Sequence, residues 1–291
     1  MKWKDLRRSS NIEDFRARGG VAGSAGKMRL LIYIIRFLIG NKYGRVFLGI
    51  GVIAYFLGYN PLVLLSFLDP SLQQEKTISK PSVKENETAE FVSVVLAQSE
   101  DVWHKLFKQE GLIYKEPKLV LFRGSVNSAC GYASKQIGPF YCPTDKKVYL
   151  DMSFFDDLKE RHNSPGDFAQ AYVVAHEVGH HVQNLLGTLR KSHTIKKSSS
   201  KTESNKVQVK VELQADCYGG IWAHYMKNYL DDGDINEALN AASAIGDDTL
   251  QKQSRGYVVP DAFTHGSSKD RMTWFKRGFE AGELNACNTG I

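Results

Sequence analysis

The chain has 291 residues, 42% of them hydrophobic and 24% charged, with a formal net charge of +6. That balance is ordinary for a folded protein with one sizeable domain plus extra elements. The charge does not point to nucleic acid, because it sits at one end: residues 1–45 sum to +8 and the remainder to −2.

Residues 1–27 are polar, with Gly19-Gly20 and Gly23 among basic residues, and read as a loosely ordered tail. Leu30–Gly40 is a short apolar run broken by Arg36, which predicts a helix lying at a membrane surface. Val46 to Leu68 then runs for 23 residues without Asp, Glu, Lys or Arg. About 20 apolar residues cross the hydrocarbon core, so one transmembrane helix is predicted over 46–68, with Pro61 compatible with a kinked span. Arg36, Lys42 and Arg45 precede it and Asp69-Pro70 follows. The positive-inside bias therefore places the basic tail and juxtamembrane segment, 1–45, in the cytoplasm and exports everything after 68. A cleaved signal peptide fits badly, since the basic region and the apolar run are both too long and no A-x-A-like site follows. A buried core helix is the other alternative.

Residues 69–90 are polar and read as a linker, so the folded body is expected over 91–291. Phe91, Val95, Val102 and Leu106 share one face of a predicted helix, with Trp103 widening it. Strands are predicted at Lys118–Phe122, Gly138–Tyr141 and Val148–Leu150, with a turn at Pro143-Thr144-Asp145. A long helix follows over 168–186, capped by Gly187. The Lys- and Ser-rich stretch 188–206 reads as a flexible, solvated loop, and a further helix as 207–229. The rest is helical, with turns at 231–234 and 256–260. The expected class is α+β, mostly helical with a small sheet, preceded by one transmembrane helix.

Four cysteines, Cys130, Cys142, Cys217 and Cys287, all follow the proposed span, where an exported compartment lets them oxidise. They admit three pairings. Joining Cys130 to Cys142 closes a short loop and leaves Cys217 with Cys287; four free buried thiols is the alternative. Without C-x-x-C spacing they do not form a zinc set.

His176-Glu177-Val178-Gly179-His180 carries the chemistry. On a helix, positions i and i+4 stack on one face, so two imidazoles can meet one metal ion. Glu177, beside the first of them, is placed to take a proton from a water molecule there. Two incidental histidines on a helix are the bland alternative. Glu212-Leu213-Gln214-Ala215-Asp216 strengthens the metal reading. Catalytic zinc commonly takes two His and one Glu, which makes Glu212 the third ligand. Asp216, one turn on, can hold the outer ring nitrogen of a ligand histidine. His265 is a candidate donor to the oxyanion of a tetrahedral intermediate, and Tyr141 a weaker one. The segment 138–141 is a candidate edge for pairing with an extended substrate. His181 points about 100° away from His180 and reads as a supporting or surface residue, and His224 as structural.

HEVGHHVQN followed by VELQADC resembles the bacterial membrane-anchored neutral zinc metallopeptidases, and the ExxAD also resembles thermolysin-like gluzincins. CGYASKQIGPFYCPTDKKVYLD, HGSSKDRMTWFKRGF and the opening MKWKDLRRSSNIEDFR are similar to the first family too, so the resemblance covers nearly the whole chain. It implies a zincin-like domain on a single-span anchor. The expectation is then an endopeptidase with one Zn2+, acting on peptide or protein substrates. It would sit in the bacterial inner membrane with a cytoplasmic N-terminus and a periplasmic or extracytoplasmic catalytic domain. Two rivals stand: a zinc-stabilised binding or scaffold protein without activity, and a deformylase-like hydrolase that would take a free Cys130 or Cys142 as a ligand.

Overall fold

The computed structural model describes residues 1–17, 36, 40–42, 81–134, 137–160 and 166–291. The chain divides into two compact units, one of residues 1–16 with 81–291 and one of residues 17–80. In the second unit only 17, 36 and 40–42 are described, with helical backbone at 36, 40 and 42. The predicted span 46–68, and all of the run 30–40 apart from its residues 36 and 40, lie outside the described residues. No helix among the described residues is long and apolar enough to cross a membrane.

The first unit is mostly helical. Its strands are β1 (Ile12–Asp14), β2 (Lys118–Phe122), β3 (Ser125–Ser128), β4 (Gly131–Ser134), β5 (Phe140–Cys142) and β6 (Lys147–Asp151). They form a sheet of order β1-β2-β6-β5 and a separate β3-β4 hairpin. β1, β2 and β6 run parallel, and β5 closes the edge antiparallel to β6. β2 and β6 are buried almost throughout, which suits their near-continuous apolar sequences.

Eight helices complete the described part of this unit. They are α1 (Val83–Gln109), α2 (Ser153–Glu160), α3 (Asp167–Leu186), α4 (Thr188–Lys197), α5 (Lys201–Tyr225), α6 (Asp234–Ala244), α7 (Asp247–Arg255) and α8 (Ser268–Ala281). The core gathers Leu96 and Trp103 of α1, Phe168 and Tyr172 of α3, Ile221 and Trp222 of α5, and Phe275 of α8. α5 and α8 meet backbone to backbone. A side-chain carbon on Gly220 would overlap the Phe275 carbonyl, and one on Gly278 the Cys217 carbonyl. The cysteines form two disulfides, Cys130–Cys142 and Cys217–Cys287, the second tying α5 to the C-terminal segment.

Three expectations are corrected. The body starts before Phe91: Ser82 caps α1 by accepting from the Glu85 N–H, so 83–90 is helix rather than linker. Residues 188–206 are α4 and the start of α5, with Ser200 capping the latter. Their Lys and Ser content is a solvated face, while Ser192 is buried.

The third correction concerns the N-terminus. Residues 1–16 are part of the packed body, not a loose tail. β1 pairs Ile12 with Leu119, over one hundred positions away. Arg7 reaches Glu100 at 2.9 Å and Asp101 at 2.7 Å, and the buried Arg16 lies 3.6 Å from Glu85. The Met1 α-ammonium lies 3.0–3.3 Å from carboxylate oxygens of Asp167, Asp231 and Asp234. Arg7, Arg8 and Arg16 of this segment find carboxylate partners, which composition cannot distinguish from solvated charge.

Candidate metal centre

The HExxH residues sit mid-way along α3, and Glu212 and Asp216 lie on α5 where the two helices touch. Gly179 makes that approach feasible: a side-chain carbon there would stand 3.0 Å from the Ala215 carbonyl oxygen. The contact brings His176, His180 and Glu212 together, one ligand atom from each falling within a 4.8 Å cluster. The Nε2 atoms of His176 and His180 lie 3.2 and 3.4 Å from the same Glu212 oxygen.

The outer atoms of this cluster are held by acceptors and donors of fixed sense. His176 Nδ1 lies 2.8 Å from Asp216 Oδ1, and His180 Nδ1 2.8 Å from Gln183 Oε1. Gln183 donates its amide hydrogens to the Val211 carbonyl and to Gln214, which turns its oxygen toward His180. Each Nδ1 therefore carries a hydrogen, and each Nε2 can present its lone pair inward. Gln208 donates to the other Glu212 oxygen at 2.7 Å, leaving Oε2 for the cluster.

Asp216 is the electrostatic hub. Fully buried, it accepts from Arg271 Nε and Nη2 at 2.9 and 3.0 Å and from the Tyr172 hydroxyl at 2.5 Å. Burial raises its pKa, but Arg271 and His176 outweigh burial and hold it at about 2. Burial also raises the Glu177 pKa, by more than the neighbouring His180 and His176 lower it. Glu177 Oε2 is buried and makes no hydrogen bond.

These residues fit a divalent cation. With neutral imidazoles, the carboxylates of Glu177, Glu212 and Asp216 against the Arg271 guanidinium leave −2, the charge that one Zn2+ neutralises. Two imidazole nitrogens and one carboxylate oxygen are a donor set suited to zinc, and three protein donors leave a fourth position open. The unbonded Glu177 oxygen beside them is the atom such a site needs as a base.

The other candidates separate. His265 lines the same cleft of about 910 Å³. Its side chain is half exposed and lies 3.3 Å from Asp247 Oδ1; Asp247 raises its pKa more than burial lowers it. Tyr141 is not free to donate. His181 Nε2 faces the Lys115 carbonyl at 2.6 Å, so it carries the hydrogen and His181 Nδ1 accepts from the Tyr141 hydroxyl at 3.0 Å. His181 is buried, not a surface residue, and burial lowers its pKa to about 4. Segment 138–141 lines the cleft and leads into β5, which is an edge strand. His224 stands apart, 2.8 Å from the Phe279 carbonyl. Both Cys130 and Cys142 are disulfide-bonded, so neither serves a deformylase-like site.

Sequence reasoning missed Tyr172, Gln183 and Arg271. Two left a signal: Tyr172 is four residues before His176 and Gln183 three after His180, both on the ligand face of one helix. Arg271 left none, since it comes from α8.

Comparisons agree with this chemistry. Residues 1–290 match the family described as "Putative neutral zinc metallopeptidase". The uncharacterized protein YpfJ of Escherichia coli (strain K12) is 45% identical over 292 residues, covering 99% of this chain and 98% of its own length. The uncharacterized protein Mb2605 of Mycobacterium bovis is 44% identical over 189 residues, 60% of this chain and 63% of its own. No solved structure matches the chain.

Proposed function

As the chain belongs to the neutral zinc metallopeptidase family, we propose that it is a zinc-dependent endopeptidase using His176, His180 and Glu212 as ligands to one zinc. The observation that carries this is the buried, unbonded Glu177 oxygen beside a three-donor set. A zinc ion bound here supplies Lewis acidity and makes a water molecule easier to deprotonate. Glu177 then accepts the water proton and passes it to the leaving amine, a task suited to a carboxylate whose pKa burial has raised. His265, oriented by Asp247, donates to the oxygen of the scissile carbonyl as negative charge builds there. Asp216 and Gln183 hold the ligand imidazoles in register.

A structural scaffold site has no use for a base and is normally closed by a fourth protein ligand. Metal analysis and a broad peptide-cleavage screen separate the two readings. The expected result is one zinc per chain, with cleavage that stops on chelation and returns with zinc. Bound zinc without cleavage of any peptide would favour the scaffold.

The reading extends to location. Two disulfides support a body that folds in an oxidising compartment, and the 46–68 run supports attachment to a membrane. Residues 1–16 are built into that body, so they share its side of the membrane. One crossing at 46–68 would separate them. On this reading the N-terminus lies on the same side of the membrane as the body, in place of the cytoplasmic N-terminus expected from charge alone. The described residues contain no free cysteine, so single cysteines report cleanly. Lys4→Cys and Lys269→Cys, both at exposed positions, are expected to react equally with a membrane-impermeant maleimide in cells whose inner membrane is intact. Labelling of Lys4→Cys only after permeabilisation would overturn this.

A further inference from the structure

The body after residue 45 sums to −2, yet 188–206 alone carries six Lys/Arg against one acidic residue, a balance of +5. The structure makes this a feature of the cleft. Leu189, Ser192, His193 and Lys196 recur at i, i+3, i+4 and i+7, so α4 turns one stripe inward, flanked by Arg190. Arg190, His193 and Lys196 line the same cleft as the metal cluster. Among the described residues, no carboxylate pairs with any of the three. Arg190 and His193 are exposed, and Lys196 donates to Gln208 Oε1 at 2.5 Å with two ammonium hydrogens to spare. Pro139, Phe140 and Phe154 add apolar surface to the same cleft, and Asp157 adds one carboxylate.

We infer that the α4 wall is a subsite for acidic side chains of the peptide lying in the cleft. The inference rests on the peptidase reading for what the bound peptide undergoes, but not for the binding itself. Arg190, without a carboxylate partner, and Lys196, with ammonium hydrogens to spare, have most to gain from a carboxylate, because charge-assisted hydrogen bonds are the strong ones and Arg takes a carboxylate bidentately. An anionic lipid surface is the poorer occupant, since a bilayer is flat and these cations face into a cleft. Lys191 and Lys201 are exposed and do not line the cleft, so they serve as controls for contact with such a surface.

Binding is measured with the zinc-loaded full chain carrying Glu177→Gln to block turnover. The probes are fluorescent peptides identical except for Glu or Gln at successive positions. Glu at one or two positions is expected to tighten binding roughly tenfold at low salt, with the advantage shrinking as salt rises. Arg190→Glu with His193→Glu removes that preference; Lys196 stays intact because its bond to Gln208 supports Glu212. Lys191→Glu with Lys201→Glu leaves the preference unchanged. Equal binding of Glu and Gln peptides overturns the subsite, as does an equal loss in both double variants. Binding to vesicles of anionic lipid in place of any Glu preference also overturns it, in favour of a membrane contact. If the wild type cleaves peptides with no acidic preference, the subsite falls and the peptidase reading stands. If Glu peptides bind selectively and none is cleaved, the reverse holds.

Discussion

Glu177→Gln lowers kcat by roughly a thousandfold while one zinc per chain stays bound. The size follows from what is removed: a positioned base contributes about 10²–10⁴-fold, and a thousandfold is about 4 kcal/mol of barrier. The metal stays because Glu177 is not in the ligand cluster, and because Gln keeps the volume of a buried side chain. The exchange also breaks no hydrogen bond at Oε2, which has no partner. Steady-state cleavage and metal stoichiometry on the same preparation check both halves. Full activity in the variant would end the assignment of Glu177 as base; loss of zinc would mean that it supports the ligands.

Asp216→Ala is expected to be the most damaging single change to stability away from the hydrophobic core. Asp216 and Arg271 are 0% and 3% exposed, so removing either leaves a buried charge that water cannot reach. Breaking such a pair typically costs roughly 3–5 kcal/mol. Asp216→Ala also frees the His176 ring, and loss of such a partner lowers metal affinity by roughly 10–100-fold. Arg271→Met is expected to destabilise by a similar amount, and Asp216→Ala with Arg271→Met by less than the two separate losses together, since it removes both charges. Urea unfolding of the metal-free variants, with zinc competition titrations, measures the cycle. Strict additivity would show that the two residues do not act as a pair.

The parts of the fold that were legible are those stabilised locally. α3, with its Gly187 cap, and β2 show in periodicity and composition, because a helix face or a buried strand leaves its pattern within a few turns of chain. β1 left no pattern, since three residues, Ile-Glu-Asp, take their meaning from a partner strand beyond residue 115. The early start of α1 was hidden by polar composition, although Ser82 followed by Glu85 is a helix-start signal. α4 was hidden likewise, its lysines covering a helix that has one cleft-facing stripe.

By itself the sequence picked out His176, Glu177 and His180 at helical spacing and Glu212 and Asp216 on a second helix, the residue types and pattern that the proposed zinc chemistry requires. It determined too that the cysteines follow a long uncharged run. Tertiary structure alone decided that Arg271 neutralises Asp216, that Gln183 and not a carboxylate holds His180, and that α4 turns its cations into the cleft. It also decided that residues 1–16 join the body, which composition alone reads as a loose tail. The physical reason is the same in each case: a hydrogen bond or ion pair between residues far apart in sequence depends on where two elements pack, and neither partner's neighbours record it.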